Sequence, residues 1–260
     1  MSQSRVVLCM KWGTLYPADY VNVLFRACRR NITGPFRFVC LTDDATGFDE
    51  GVESFPIPDI GLSDWMWWDG AWPKLAVYCR DLYGLTGRAL FIDLDMVICS
   101  SLDPFFDHPA PFLTTDMGPD WRPHPSGKGA PEAGTCLFAF TLGAEAQIVE
   151  RFQEDPEHNA RALVIEQKWV HAHASAMSFW PAGWVVSFKR HLRRPMGLDL
   201  ILPPREPSGE AKVVAFHGKP RPIDLIRAGA GWWDRFPHMG HGQVRWMANY
   251  WRDHGGTIPD

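Results

Sequence analysis

The sequence has no apolar run that approaches the ~18 residues needed to span a bilayer, so we expect no transmembrane segment. It also has no basic excess. The chain has 26 Lys and Arg residues and 30 Asp and Glu residues, and the formal charge of −4 argues against a general nucleic-acid binder. Residues 1–5 lack a signal-peptide layout and lead straight into a strand-like segment. These absences favour a cytoplasmic protein.

The six cysteines include no Cys-x-x-Cys pair, which argues against zinc ribbons and thioredoxin chemistry. They stand singly, mostly in apolar segments, and this pattern is typical of buried, reduced thiols in a cytoplasmic protein. The chain also lacks an internal repeat and a linker. Because 260 residues that are 46% apolar can bury one large core, we predict a single domain.

Strand and helix signals alternate along the first third of the chain. Strand-like segments lie at 6–10, 36–41 and 88–92. Between the first two, apolar residues recur at helical spacing after Pro17, and between the last two a short helix is predicted at 74–82. This order predicts an α/β fold whose mainly parallel sheet is covered by helices. Ligands of such sheets lie beyond the carboxyl ends of the strands.

The second half is less regular. Strands are predicted at 136–141, 184–188 and 213–216, a helix at about 143–155, and a packed C-terminal helix through Val244 and Trp251. Residues 117–134 are rich in Gly and Pro and predict a long loop, which in a compact domain is often functional. We expect this loop to contribute to acceptor contact or to serve as scaffold.

Two carboxylates end the third predicted strand. Asp93 and Asp95 point to the same side if the backbone stays extended, and two adjacent acids repel unless a cation lies between them. Mg²⁺ and related ions are commonly shared between carboxylates and substrate phosphates. Nucleotide-sugar transferases use this arrangement. Haloacid-dehalogenase-type phosphatases use it as well, with the first Asp (here Asp93) as nucleophile.

A second polar group follows the strand predicted at 213–216. His217 can ligate a metal, Lys219 is a compact partner for phosphate, and Gly218 lets the backbone approach a ligand closely. A third metal ligand beside a diphosphate contact is what a departing nucleoside diphosphate needs. This group therefore favours the transferase over the phosphatase.

Tryptophan is abundant, with 13 residues, and four of them cluster. Trp65, Trp67, Trp68 and Trp72 could form a platform for a carbohydrate or could be large core residues, and both interpretations stay open at this point.

Several stretches together resemble glycosyltransferase family 8, the glycogenin and lipopolysaccharide-galactosyltransferase family. They lie at 9–13, 16–31, 38–44, 72–75, 93–95, 183–189 and 216–220. The resemblance implies one GT-A (Rossmann-like) domain over 1–260. Its nucleotide-binding half would span about 1–100, its acceptor-side half about 101–222, and a helical tail about 223–260.

The resemblance also implies the site residues. Asp93, Asp95 and His217 would ligate Mn²⁺ or Mg²⁺, and Glu166 and Gln167 would lie beside the anomeric carbon as catalytic residues, with Glu166 replacing the usual Asp. The remaining donor-binding residues it implies are Met10, Lys11, Trp12, Gly13, Thr42, Asp43, Lys74, Leu94, Gly218 and Lys219. The implied activity is retaining transfer of a hexose from a UDP-sugar to a hydroxyl acceptor, such as a glycan or a lipopolysaccharide-like molecule. Peripheral contact with a membrane is compatible with this activity.

Two alternatives remain. A phosphohydrolase of the dehalogenase type would need a later Gly-Asp acidic pair, and none follows Asp93. A non-catalytic carbohydrate-binding protein would keep the tryptophans and lose the metal site, whereas Asp93, Asp95 and His217 are all retained.

Overall fold

The computed structural model describes residues 4–121, 129–195, 197–229, 231–233 and 240–259. Part of the predicted 117–134 loop, residues 122–128, lies outside the described residues. The strands are β1 (Arg5–Lys11), β2 (Arg37–Thr42), β3 (Val52–Phe55), β4 (Arg88–Ile92), β5 (Met96–Ile98), β6 (Phe112–Asp116), β7 (Ala133–Thr141), β8 (Met177–Phe179), β9 (Val185–Ser187) and β10 (Val213–Ala215). The α-helices are α1 (Ala18–Asn31), α2 (Asp103–Asp107), α3 (Gln147–Gln153), α4 (Pro156–Leu163), α5 (Glu166–His173), α6 (Pro222–Ile226) and α7 (Arg245–Asp253).

The central sheet has seven strands in the order β3-β2-β1-β4-β7-β6-β8. The pairs β2–β3, β1–β2, β1–β4 and β6–β8 are parallel, whereas β7 runs antiparallel to both β4 and β6. The predicted α/β class with a mainly parallel sheet is therefore confirmed. The antiparallel β7 follows the Gly/Pro-rich stretch and carries no pattern that would have shown its direction.

Both faces of the sheet are buried. On β1, Val7 and Cys9 belong to the core beneath α1, and Val6 and Leu8 belong to the core on the opposite face. The alternation follows the two-residue period of a strand. Central parallel strands covered by helices on both sides are apolar on both faces, which explains the continuous apolar run of β1.

Helix α1 matches its prediction closely. Pro17 precedes its first residue, Asp19 lies in its first turn, and Arg29 and Arg30 lie in its last turn. These charges complement the helix dipole, whose positive end is at the N-terminus. The helix connects β1 to β2, so both strands end at the same edge of the sheet.

Two helix predictions need correction. The segment predicted as a helix at 74–82 is a 3-10 helix over Trp72–Tyr78. Trp72, Leu75 and Tyr78 recur at the three-residue period of that conformation and are fully buried. The helix predicted at about 143–155 begins at Gln147, because Gly143 adopts a positive φ of 77° in the preceding turn.

Among the helices of the described ranges, none combines the length and the apolar character that crossing a bilayer requires. The predicted C-terminal helix is α7, and all six cysteines are free thiols.

Candidate active site

Two adjoining cavities open at the carboxyl edge of the sheet, with volumes of about 280 and 710 Å³. They share Ala71, Lys74, Asp93 and Asp95 as walls. The smaller cavity is also lined by Met10, Trp12, Leu15, Tyr16, Trp67, Trp68 and Leu94. The larger is also lined by Gly70, Met117, Trp121, Thr135, Cys136, Ile165, Glu166, Gln167, Ala215, Phe216, His217 and Gly218.

The acidic pair lies in a turn and not in an extended strand. Strand β4 ends at Ile92, and the amide of Met96 donates to the carbonyl oxygen of Asp93 at 3.2 Å. The backbone therefore does not stay extended here, although both carboxylates still line the same two cavities. The turn leads into β5.

A small second sheet brings the distant motif to the acidic pair. Its strand order is β5-β10-β9, and the antiparallel β5–β10 pair places Met96 opposite Ala215. Asp95 immediately precedes β5, and Phe216 and His217 immediately follow β10. Both motifs therefore reach the larger cavity. This pairing was not predicted, because β5 is only three residues long.

Lys74 lies at the centre of a buried polar network. Its Nζ donates to Asp93 Oδ2 at 3.0 Å and to the carbonyl oxygen of Thr135 at 2.7 Å, and it lies 3.2 Å from Glu166 Oε1. Burial alone would lower the pKa of Lys74, but the charges of Asp93 and Glu166 outweigh it, and the pKa lies above its usual value. Lys74 is therefore a fixed cation in the wall of both cavities.

Glu166 begins α5 and is almost fully buried. Its Oε1 accepts a hydrogen bond from the Thr135 hydroxyl at 2.5 Å, whereas its Oε2 is buried without a hydrogen-bond partner among the described residues. Burial raises the pKa of Glu166 and the charge of Lys74 counteracts that rise. Its neighbour Gln167 is half-buried and also lines the larger cavity.

The two aspartates differ in their partners. Tyr16 donates its hydroxyl to Asp95 Oδ2 at 2.9 Å, and Asp93 accepts from Lys74. Burial raises the pKa of Asp95 to about 7, and the charge of Asp93 adds to this rise. Burial also raises the pKa of Asp93, against the lowering effect of Lys74. Tyr16 is a site residue that the sequence did not single out.

The donor chemistry of the cavity fits a hard divalent cation. Asp95 forms no salt bridge with any of the described residues, and it lines the larger cavity together with Asp93 and His217. Across the described part of the chain, however, no three acidic, His or Cys side chains are gathered closely enough to hold an ion. His217 Nε2 instead lies 2.7 Å from the Ser187 hydroxyl. The three-ligand set stays a prediction.

Of the residues expected to hold the nucleoside, some line the smaller cavity and others lie in loops outside both cavities. Met10 and Trp12 line the smaller cavity, where the Trp12 indole donates to the carbonyl oxygen of Trp67 at 2.8 Å. Neither cavity is lined by Lys11, Gly13, Thr42 or Asp43. Lys11 and Gly13 bond to the loop that follows β2, and Thr42 bonds within that loop. Lys11 Nζ donates to Asp44 O at 3.2 Å, the Gly13 amide donates to Asp43 Oδ2 at 2.8 Å, and the Thr42 hydroxyl donates to Asp44 O at 2.9 Å.

The 218–219 turn lies next to the larger cavity. Gly218 lines it with a φ of +73°, a conformation that favours glycine, and Lys219 is exposed and does not line it.

The tryptophan cluster divides between core and cavity. Trp72 is fully buried and stacks on Phe152 with ring centroids 5.1 Å apart. Trp67 and Trp68 line the smaller cavity, and Trp68 is 77% exposed. Trp65 donates its indole N–H to Glu157 at 3.0 Å. The core interpretation fits Trp72, whereas Trp67 and Trp68 line a cavity.

No family model and no curated protein matches the sequence. Among solved structures, the fold is similar to that of the galactosyltransferase LgtC in complex with donor and acceptor sugar analogs. The identity is 11%, the TM-score is 0.56, and 98% of each chain is covered. The chain has a GT-A-like glycosyltransferase fold.

Two further solved structures share this fold. The apo-form glycosyltransferase GlyE of Streptococcus pneumoniae TIGR4 matches at 10% identity with a TM-score of 0.59, over 99% of this chain and 61% of that one. The apo bifunctional glycosyltransferase WbbM matches at 10% identity with a TM-score of 0.57, over 100% of this chain and 50% of that one. The chain thus spans nearly all of LgtC but only half of WbbM.

Proposed function

We propose that the chain is a metal-dependent, retaining glycosyltransferase that moves a hexose from a UDP-sugar to a hydroxyl acceptor. The observation that carries the proposal is the shared pair of cavities, into which Lys74, Asp93, Asp95, Gln167 and His217 project from separate parts of the chain. The glycosyltransferase fold supports the reaction class, and the LgtC complex held donor and acceptor sugar analogs in that fold.

In this proposal Asp93, Asp95 and His217 hold Mn²⁺ or Mg²⁺. Such an ion supplies Lewis-acid stabilisation of the negative charge that develops on a departing diphosphate. The residues contribute two carboxylates and an imidazole, and Tyr16 fixes the orientation of Asp95 through its hydrogen bond. Lys219 and the Gly218 backbone would contact the diphosphate.

The nucleoside is assigned to the smaller cavity. Its apolar and aromatic walls, including Trp12 and Trp67, suit a flat base, and the cavity opens directly onto Asp93 and Asp95. The Lys11 and Asp43 hydrogen bonds hold the two loops that shape this wall.

The donor sugar is assigned to the larger cavity. Gln167 offers a carbonyl dipole that stabilises positive charge at the anomeric carbon, and Lys74 presents a fixed charge next to the phosphate side. Glu166 holds Lys74 through Oε1 and leaves Oε2 free to accept from a sugar hydroxyl. The configuration at the anomeric carbon is retained when the acceptor hydroxyl attacks from the face that UDP leaves and gives its proton to a UDP oxygen.

The test is UDP release from UDP-glucose and UDP-galactose by purified protein, with Mn²⁺ or with EDTA. We expect release with Mn²⁺, loss with EDTA, and a drop of about 100-fold or more in Asp95→Asn, because the carboxylate charge is lost while the shape is kept. Asp59→Asn removes an exposed carboxylate that lines neither cavity and is the matched control, expected to retain full activity.

Full activity in EDTA or in Asp95→Asn would contradict the proposal. Hydrolysis of a simple aryl phosphate without UDP release would instead support a phosphohydrolase with Asp93 as nucleophile. Sugar binding that survives EDTA without any UDP release would support a binding protein.

A further inference from the structure

A lysine from another part of the chain lies against the turn that follows β10. The Nζ atom of Lys189 is 3.6 Å from the position that a Cβ atom on Gly218 would take. Gly218 is exposed and lines the larger cavity. An ammonium group therefore lies beside the stretch of backbone that the proposed function assigns to the diphosphate.

The parallel pairing of β9 and β10 brings this lysine to the turn. The last residues of the two strands are register partners. Directly beyond the strands, the rings of Phe188 and Phe216 stack with their centroids 4.8 Å apart. The two segments therefore continue side by side after the sheet ends, and this places Lys189 next to Gly218.

The backbone that carries Lys189 is a π-helix, Phe188–Leu192, which follows β9 directly. π-helical turns are rare and occur frequently at functional sites. The buried hydroxyl of Ser187 accepts from the amide of Arg190 at 3.2 Å, and the same oxygen lies 2.7 Å from Nε2 of His217. The π-helix is thus held to the segment after β10 by Ser187 as well as by Lys189.

The position and the chemistry of Lys189 suit a phosphate group. An ammonium is a compact charge, and lysine is a common phosphate partner for that reason. Lys189 is half-buried, whereas Lys219 is exposed, so Lys189 has less side-chain freedom to lose when a ligand binds. The neighbouring Arg190 is directed to another wall of the cleft, because its Nε donates to the carbonyl oxygen of Trp121 at 3.0 Å.

We propose that Lys189 binds the diphosphate of the donor, with its ammonium and the backbone of Gly218 contacting the same group. This inference rests on the proposed function, which supplies the diphosphate. A cation held at this point stabilises the negative charge that develops when the bond between the sugar and the diphosphate breaks.

A lysine with a purely structural role would behave differently. If Lys189 only packed against the turn, its loss would disturb the cleft and weaken every ligand there alike. A lysine that binds phosphate affects only the ligands that carry phosphate. Uridine and UDP share the base and the ribose and differ in the diphosphate, so the two ligands separate these roles.

The test is calorimetric titration of the full chain with UDP and with uridine in Mn²⁺, for wild type and Lys189→Met. We expect Lys189→Met to raise the dissociation constant of UDP about tenfold, because a charged hydrogen bond is lost, and to leave that of uridine unchanged. Lys189→Arg keeps the positive charge and should recover most of the UDP affinity.

The matched control is Lys212→Met. Lys212 is also half-buried, with its Nζ 5.0 Å from the centre of the Trp184 ring. It precedes β10 and so lies at the opposite end of that strand from Gly218. Its substitution should leave both dissociation constants unchanged. Circular dichroism melting verifies that each variant is folded.

Two results would overturn the inference. One is equal UDP affinity in wild type and folded Lys189→Met, and the other is an equal loss of UDP and uridine affinity in that variant. The UDP-release assay separates these results from failure of the proposed function.

If wild type releases UDP from a UDP-sugar and Lys189→Met binds UDP as wild type does, only the inference fails. If Lys189→Met weakens UDP binding selectively but wild type releases no UDP from either UDP-sugar, only the proposed function fails. A wild-type protein that does not bind UDP would contradict both.

Discussion

At the scale of single residues, Lys74 contributes both to the stability of the protein and to the candidate active site. It is buried with two carboxylates around it, so its charge is needed to compensate theirs. Removing one member of a buried ion pair is costly because the remaining charge stays buried without compensation.

We therefore expect Lys74→Met to lower the free energy of unfolding by about 3 kcal/mol in urea titrations. Adding Glu166→Gln to that variant should recover part of the loss, since it removes one of the uncompensated carboxylates. The control Lys168→Met changes an exposed lysine on α5 and should stay within about 0.5 kcal/mol of wild type. Equal effects of Lys74→Met and Lys168→Met would refute the buried network.

Asp95 makes the stability of the metal-free protein depend on pH. The pKa of Asp95 is about 7 in the folded state, above the 3.8 of a free aspartate, so the folded protein keeps this proton up to a higher pH than the unfolded chain does. The associated stability is present below about pH 4 and is lost as the pH rises through 7.

In EDTA, the unfolding free energy of Asp95→Asn relative to wild type should therefore be higher at pH 8 than at pH 5, because wild type loses the contribution of Asp95 over this interval. Urea unfolding at both pH values measures the difference. Asp59→Asn, an exposed carboxylate, should show the same difference from wild type at both pH values. A constant difference for Asp95→Asn would contradict the raised pKa.

At the scale of elements, the turn after β10 determines where His217 lies. Gly218 needs a positive φ of 73°, and a side chain there strains the backbone. Gly209 has a similar φ of 68°, and a Cβ atom added to it would meet nothing within 4 Å.

Gly218→Ala and Gly209→Ala should each cost about 1 kcal/mol of unfolding free energy, because both force alanine into the left-handed region. Only Gly218→Ala should also weaken UDP binding in calorimetric titration with Mn²⁺, since it displaces the turn next to the cleft. Equal UDP affinity in both variants would remove that turn from the donor site.

The elements also show what the sequence could predict. The β1-α1-β2 unit and β4 carry strong apolar periodicity and capping charges, and their observed bounds differ from the predicted ones by a residue or so. Strand β5 has three residues, too few for a two-residue alternation to be recognised. Strands β9 and β10 lie within the strands predicted at 184–188 and 213–216, but their pairing was not predicted. The site was therefore predicted as separate motifs, and its assembly needed the structure.

Some site features depend on contacts that leave no local signal. Tyr16 follows β1 as an unremarkable aromatic residue, and its hydrogen bond to Asp95 joins positions far apart in sequence. Glu166 was predicted to act beside the sugar, but its contacts to Lys74 and Thr135 emerge only from the packing of α5 on the sheet.

At the scale of the whole molecule, two apolar cores lie on opposite faces of one sheet and share its strands. The single domain predicted over 1–260 stays a prediction, and denaturation can test it. We expect far-ultraviolet circular dichroism and tryptophan fluorescence to give coincident denaturant transitions, since the 13 tryptophans are distributed over the chain. Two separated transitions would indicate independently folding parts.

The proposed function requires that Asp93 and Asp95 bind the diphosphate of a nucleotide through a divalent cation. The most direct measurement is the thermal unfolding midpoint of the protein with UDP, in Mn²⁺ or in EDTA, for wild type and Asp95→Asn. We expect UDP to raise the midpoint of wild type in Mn²⁺ alone, because only the complete site binds it. An equal rise in EDTA, or an equal rise in Asp95→Asn, would contradict the claim.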